Sequence, residues 1–391
     1  MATSRTHNKS ILLVAMLDSV HTARWVKQLV DQDWKIYIFP STGVEELHTD
    51  LTSVVVVRSN YRKIRDALSV LGLGFMARLV RYLERKFSAD QSKQLRNVIV
   101  KLHPDLIHSL EIQAAGYLTL DAKKIFHGNF PPWIVTNWGS DIFLFGKLQR
   151  HKEKIHDVLA GCDYYSCECE RDAKLALEFG FNKTVLPVFP NTGGFELGQL
   201  EKLRHGIPPS GRKIIMLKGY QHWAGRALTG LRALERCEDA LGGYMIVIFS
   251  APPEVEMAAE LLTLKTGIAT RIVPHDTTHQ EMLALHAKAR ISIGLSISDA
   301  ISTSLLEAMV MGSFPIQSCT ACADEWVQHG VSGMIVPPED PDVVEMAIRM
   351  ALAEDGLVDK AAEINWQIAL TRLDGTLLKQ KAADMYRSIL K

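Results

Sequence analysis

Two series of short apolar runs alternate with helix-length segments along this chain, and that order narrows its fold more than any other feature. The first series holds Ser10–Leu17, Lys35–Phe39, Val54–Val57, Leu106–Ser109, Trp133–Asn137, Tyr164–Cys167 and Thr184–Val188. The second begins at Lys213–Leu217 and continues through Met245–Ser250, Ala269–Val273, Ile291–Leu295, Phe314–Gln317 and Met334–Val336. Ser10–Leu17 is apolar at nearly every position, which suits a strand covered on both faces, and His21–Asp31 behind it reads as helix. Strands alternating with helices predict parallel sheets with right-handed crossovers. Pro187, Pro190, Gly193 and Gly194 punctuate the boundary between the two series. The expected class is α/β, with two Rossmann-like domains facing a cleft. Residues 1–195 form the first and 196–365 the second, and a C-terminal helical segment covers 366–391.

A length of 391 residues suits two such domains. Hydrophobic residues make up 47% and charged residues 23%, which excludes a disordered, collagen-like or coiled-coil chain. The 44 basic residues balance 44 acidic ones, so no general nucleic-acid footprint exists. Apolar runs such as Ile291–Ile297 fall well short of the ~20 residues that span a bilayer. The polar start, Met1–Lys9, leads straight into a strand and does not read as a secretory signal, so a cytoplasmic protein is expected. Six cysteines stand at 162, 167, 169, 237, 319 and 322. Cys319 and Cys322 have CxxC spacing, but a zinc ribbon needs a second such knuckle, and reduced structural thiols are the expectation.

The balanced total hides an asymmetry: residues 1–195 carry 25 Lys+Arg against 20 Asp+Glu. Residues 61–87 alone hold seven basic and two acidic side chains, with a Leu-Gly-Leu-Gly break at 71–74. The segment reads as one or two amphipathic helices. Two readings stay open: a core-packed helix with a solvated basic face, or a peripheral surface that meets anionic lipid head groups.

The strongest chemical signal is the stretch Ser296–Ser318. A buried strand ends, a small polar loop follows, and a helix starts near Thr303 with Glu307 one turn in. The free amides and positive dipole end of such a helix suit a diphosphate. Glu307 can accept two hydrogen bonds from a ribose diol, and Asp299 stands at the loop entrance. Taken alone, the stretch reads equally as a capped helix with a solvated glutamate.

Its surroundings add a resemblance. Asp299, seven residues, then Glu307-Ala-Met-Val-Met-Gly-Ser-Phe-Pro-Ile resembles the signature of retaining nucleotide-sugar glycosyltransferases of the GT-B fold, family 4 type. Glu325, the His329–Pro338 turn and strand, and Asp340-Pro-Asp-Val-Val-Glu-Met-Ala-Ile continue that family's order. The resemblance covers roughly 210–345 well and the N-terminal half more loosely. It implies that Glu307 binds the donor ribose, that Asp299 meets donor-sugar hydroxyls, and that Ser302, Thr303, Ser304 and Leu305 offer backbone amides to the phosphates. A basic pair after the first strand of the second domain neutralises the leaving diphosphate in this family. Here Lys218 precedes Arg226 by eight residues, where the usual order is Arg then Lys five apart. Two such cations supply the electrostatic stabilisation that metal-free transfer needs, so no metal or other cofactor is expected. The base-binding site falls near Arg271–Asp276, with Val273 and His275 at a strand's carboxyl end. The resemblance also implies that the C-terminal helix returns to the N-terminal domain.

The N-terminal domain departs from the family. Its usual Thr-Xaa-His-Gly-Ser/Thr-Asp turn is Thr136-Asn-Trp-Gly-Ser-Asp141 here, so Trp138 stands where a histidine sits beside the reacting sugar. An indole can stack on a sugar but cannot act as acid or base. Asp141 still matches and orients the turn; the loop histidine His127 is an alternative source of an imidazole. Asp18–Trp25 resembles the Ser-Xaa-His-Thr-Xaa-Arg-Trp start of a subset of these transferases and lacks Gly-x-Gly-x-x-Gly. His21 is therefore a candidate acceptor-side or donor-sugar contact, with helix capping as the plain reading.

The expected function is that of a retaining hexosyltransferase, moving a sugar from a nucleotide diphosphate, UDP favoured, to a hydroxyl acceptor. The acceptor is a glycan or lipid-linked glycan, as in surface polysaccharide assembly, at the inner face of the membrane. A binding protein that lost catalysis and a nucleotide-sugar epimerase on the same architecture are the alternatives.

Overall fold

The computed structural model describes residues 8–44, 46–57, 91–204 and 206–391. The basic segment 61–87 lies outside the described residues. The chain divides into two compact units. The first holds Met1–Glu168, Asp172–Thr192 and Lys379–Lys391; the second holds Cys169–Arg171 and Gly193–Leu378.

The first unit is built on a seven-stranded parallel sheet of order β3-β2-β1-β4-β5-β6-β7. Its strands are β1 Ser10–Ala15, β2 Lys35–Pro40, β3 Val55–Val56, β4 Leu106–Leu110, β5 Trp133–Thr136, β6 Tyr164–Ser166 and β7 Thr184–Val185. Ile11 through Ala15 are fully buried, as helices on both faces of a parallel sheet require. β1 sits between β2 and β4, with Ile11 level with Ile36 on one side and Leu106 on the other.

The second unit carries a six-stranded parallel sheet of order β10-β9-β8-β11-β12-β13. These are β8 Ile214–Lys218, β9 Met245–Phe249, β10 Ala269–Ile272, β11 Ala289–Gly294, β12 Phe314–Ser318 and β13 Met334–Val336. Chain order reverses direction at β8 and β11, which is where ligands sit in open α/β sheets.

Local chemistry sets the helix ends. Asp340 caps Pro341–Ala353 by accepting from the amides of Asp342 and Val343, with proline in the first turn. Thr278 and Glu281 form a reciprocal capping box on His279–His286. Helix Thr303–Met311 stops at Gly312, whose φ of 75° suits glycine. Two helices, Asp355–Arg372 and Gly375–Ile389, make up the C-terminal segment.

All thirteen strands expected from the pattern form; Met334–Val336 keeps its expected bounds, and each of the others shifts at one end or both by one to three residues. β7 stops at Val185 and Pro187, which lacks an N–H, lies beyond it. β11 begins two residues early, at Ala289, and takes in the fully buried Arg290. That guanidinium donates to the carbonyls of Ala351 at 2.9 Å, Ser210 at 2.5 Å and Leu352 at 3.0 Å, and pairs with Asp355 at 2.7 Å. A charge that would end a strand on pattern alone is thus satisfied by tertiary contacts.

Candidate active site

Adjacent strands β8 and β11 deliver the central groups of the second unit. Lys218 is the last residue of β8, and Asp299 lies in the loop after β11. The Lys218 ammonium stands 3.8 Å from Asp299 Oδ2 and donates to Ser302 Oγ at 3.3 Å. It also sits 4.5 Å from the centre of the Tyr220 ring. Ser302 is the N-cap of helix Thr303–Met311, yet its hydroxyl is 2.9 Å from Ser304 Oγ and caps no helix amide. A cation, two hydroxyls and a helix start without a side-chain cap therefore meet at one place, which suits a phosphate. Ser302 and Ser304 are buried, and Thr303 is half-buried. The Leu305 amide is already engaged with Ser302 O at 2.9 Å, and its side chain lies in the core.

Glu307 is 6% exposed and faces the helix His279–His286. Its Oε1 is 2.9 Å from His279 Nε2, and its Oε2 is 3.6 Å from His286 Nε2. His286 is fully buried; Nδ1 bonds Ser292 Oγ at 2.9 Å, and burial holds its pKa below the usual imidazole range despite Glu307. No sequence signal marks His279 or His286, because both meet Glu307 only through the fold.

The loop after β8 is tight. A Cβ on Gly225 would lie 2.2 Å from Tyr220 O, and one on Gly219 would lie 2.8 Å from Ala251 Cα. Arg226 leaves this loop with its Nε on Glu339 Oε1 at 2.8 Å and Nη1 on the carbonyls of Gly225 and His222 at 2.9 and 3.3 Å. His222 accepts from the Ala224 amide at 3.1 Å. Partial burial, then the positive charges of Lys218 and Arg226, holds the His222 pKa below its ordinary value. One imidazole therefore feels both cations, and sequence reasoning did not single it out. Val273 is buried against Met216, Val247, Phe249 and Ala289, while His275 is exposed two residues on.

In the first unit Ser19 caps helix Val20–Lys27 and accepts from the His21 amide at 3.2 Å. The exposed His21 ring lies 5.4 Å from the Trp138 ring, centre to centre, so the fold brings these two candidates together. Asp141 is 6% exposed and accepts from the amides of Ile112 at 2.9 Å and Trp138 at 3.2 Å, orienting the turn. Beside it stands Glu111, which follows β4 with φ 84° and ψ 157°, a region that costs a non-glycine residue about 1–3 kcal/mol. Its carboxylate accepts from the Ala114 and Ala115 amides. Burial, then the Asp141 charge, pushes Glu111 up to about 7; burial pushes Asp141 up to about 6. His127 is exposed.

Cys319 is exposed and the other five cysteines are buried. Among the described residues, Cys169, Cys322 and Glu325 form a group with metal-capable atoms within 4.8 Å of one another. The Sγ atoms of Cys169 and Cys322 are 2.9 Å apart, closer than the ~3.8 Å that tetrahedral zinc–thiolate bonds impose, so the geometry does not fit a zinc ion. No helix among the described residues is long and apolar enough to cross a membrane.

Paired Rossmann-like sheets, one of them gathering a lysine, an acid and a helix start at its strand ends, define a GT-B glycosyltransferase. Residues 10–161 match the glycosyl transferase 4-like family, and residues 220–354 match the glycosyl transferases group 1. A glycosyltransferase from Rickettsia africae shares the fold at 17% identity and a TM-score of 0.67, over 98% of this chain and 99% of that one. HepE of Anabaena, solved in complex with UDP and glucose, is similar at 15% identity and a TM-score of 0.67, covering 98% and 100% of the chains. A UDP-forming α,α-trehalose-phosphate synthase from Burkholderia xenovorans is similar at 13% identity and a TM-score of 0.69, over 98% and 100%. No curated protein matches the sequence.

Proposed function

We propose that this glycosyltransferase is a retaining enzyme that moves a hexose from a UDP-sugar to a hydroxyl of a glycan or lipid-linked glycan. The observation that carries this reading is the meeting of Lys218, Asp299 and Ser302 at the start of the helix that presents Glu307. HepE, which holds UDP and glucose on the same fold, supports the choice of donor.

Glu307 accepts hydrogen bonds from the donor ribose, exchanging its His279 contact for the diol. The amides of Ser302, Thr303 and Ser304 line the diphosphate, Leu305 with its engaged amide packs the helix start against the core, and backbone near Val273 and His275 meets the base. Lys218 and Arg226 stabilise the departing diphosphate, so the reaction needs no metal ion. Asp299 orients the donor sugar. On the acceptor side, His21, Trp138 and Asp141 shape a wall on which a sugar ring stacks. The acceptor oxygen attacks the anomeric carbon on the face from which UDP leaves, and a leaving phosphate oxygen takes the hydroxyl proton. Surface polysaccharide assembly at the inner face of a membrane supplies an acceptor of this kind. Sedimentation with anionic vesicles tests that placement; charge reversal within 62–86 abolishes co-sedimentation, and no change removes the membrane reading.

Calorimetric titration of UDP, GDP, ADP and TDP tests the donor site. UDP binds tightest, and Glu307→Ala weakens it by roughly tenfold or more, the worth of hydrogen bonds to a charged group. In turnover, Glu307→Ala raises donor KM and Lys218→Ala lowers kcat. Unchanged kinetics in both variants overturn the assignment. Trp138 in the histidine position favours one competing reading, a binding protein without catalysis; slow hydrolysis of the donor rules that out.

A further inference from the structure

We infer that Arg171, at the start of helix Glu170–Glu178, is a positioning residue that holds the Asp299 carboxylate for the donor sugar. The stretch Cys169–Arg171 belongs to the second unit although its chain neighbours on both sides belong to the first. Glu325 anchors it there: its carboxylate accepts from the Glu170 amide at 3.0 Å and the Arg171 amide at 3.2 Å. The Cys169 and Cys322 sulfurs touch in the same place. The Arg171 guanidinium then spans two loops. Nη2 donates to Asp299 O at 2.8 Å and Nη1 donates to Thr320 O at 2.9 Å.

These two carbonyls belong to the loops after β11 and β12, the strand ends beside the phosphate-binding helix. The Asp299 amide reaches Thr320 O at 3.4 Å, so at these two carbonyls the loops are joined by that long bond and by Arg171. Thr320 Oγ1 in turn donates to Ser296 O, at the other end of the Asp299 loop. The Asp299 side chain is fixed by its own backbone, with Oδ1 accepting from the Ala300 amide at 2.9 Å. Where the Asp299 backbone sits therefore decides where its second oxygen points, now toward Lys218. A planar guanidinium with a fork of donors can hold two carbonyls at once; an ammonium on a flexible stem holds one well. Losing the fork takes the guanidinium from both carbonyls, leaves Thr320 O with the long bond from the Asp299 amide and loosens the loop, and a misplacement of about 1 Å at a reacting group is enough to cost catalysis.

This inference rests on Asp299 as the donor-sugar contact, and the experiment separates the two. Calorimetry compares UDP with UDP-glucose, and GDP with GDP-mannose, on wild type, Asp299→Asn, Arg171→Met, Arg171→Lys and the Arg171→Met/Asp299→Asn double variant. Asp299→Asn removes the extra affinity that the sugar confers. Arg171→Met lowers that increment by roughly tenfold, with nucleotide affinity within about twofold of wild type, and Arg171→Lys recovers part of it. The double variant loses no more than Asp299→Asn alone. A full sugar increment in Arg171→Met overturns the positioning role while leaving Asp299 intact. So does an equal loss of nucleotide and sugar-nucleotide affinity, which marks a merely structural arginine. A full increment in Asp299→Asn, or no increment in wild type, overturns the parent reading and this one with it.

Discussion

Glu111 and His108 pull the stability of the first unit in opposite directions as pH changes. Glu111 titrates near 7 in the folded protein against 4.5 for an ordinary glutamate, so the folded state holds a proton that the unfolded chain releases. Its contribution is whole below about 4.5 and fades as pH rises through about 7. His108 is fully buried between Tyr386 and Thr136, and burial drives its pKa from 6.5 down to about 3. The unfolded chain takes up that proton first, so this contribution is whole above 6.5 and fades as pH falls. Between about 4.5 and 6.5 the two slopes oppose, each up to about 1.4 kcal/mol per pH unit for a full proton. Glu111→Gln leaves Asp141, raised to about 6, opposing the histidine up to that pH, and its Tm rises from pH 6 to pH 7. His108→Asn leaves the carboxyl slope, and its Tm falls over the same range. Scanning calorimetry at pH 5, 6 and 7 checks both; matching wild-type profiles in the two variants would refute the opposition.

The loop from Lys218 to Arg226 is the element on which the second unit's site depends. Its two ends are fixed, by Gly219 N on Phe249 O at 2.7 Å and by Arg226 N on Leu295 O at 3.0 Å. Between them only glycine fits at 225, since a Cβ would enter the Tyr220 carbonyl, a backbone atom that no rotamer can move aside. Gly225→Ala therefore costs roughly 1–3 kcal/mol and shifts Lys218 relative to Ser302. The expected result is a lower Tm together with a loss of UDP affinity in titration; a wild-type value for both would show that the loop has slack. The basic pair of this loop is legible in the sequence as Lys218 and Arg226, eight positions apart. That Arg226 is bound to Glu339, and that His222 sits under the influence of both cations, is not.

At the scale of the whole molecule, the last residues of the chain complete the first unit. Tyr386 is fully buried; its hydroxyl accepts from Trp25 Nε1 at 2.9 Å and bonds His108 Nδ1 at 2.5 Å, with Trp34 packed beside it. Tyr386→Phe leaves two buried polar groups without that partner and costs about 1–3 kcal/mol. Removing 379–391 uncovers Trp25 and Trp34 as well, so the melting transition of the first unit drops further or is lost; circular dichroism melts of both variants, unchanged from wild type, would contradict this. Order along the chain determined the strands, the helices between them, the caps at Asp340 and Thr278, and the spacing of Asp299 and Glu307. These rest on local rules, periodicity and the chemistry of helix ends, which a sequence displays directly. The tertiary structure alone decided that Arg290 is buried in a strand, that His279 and His286 flank Glu307, that His21 meets Trp138, and that Arg171 reaches the Asp299 loop. Each joins residues far apart in the chain or breaks the polarity pattern of its own element. The free energy that holds them comes from pairing buried polar groups across the fold, which no local pattern records.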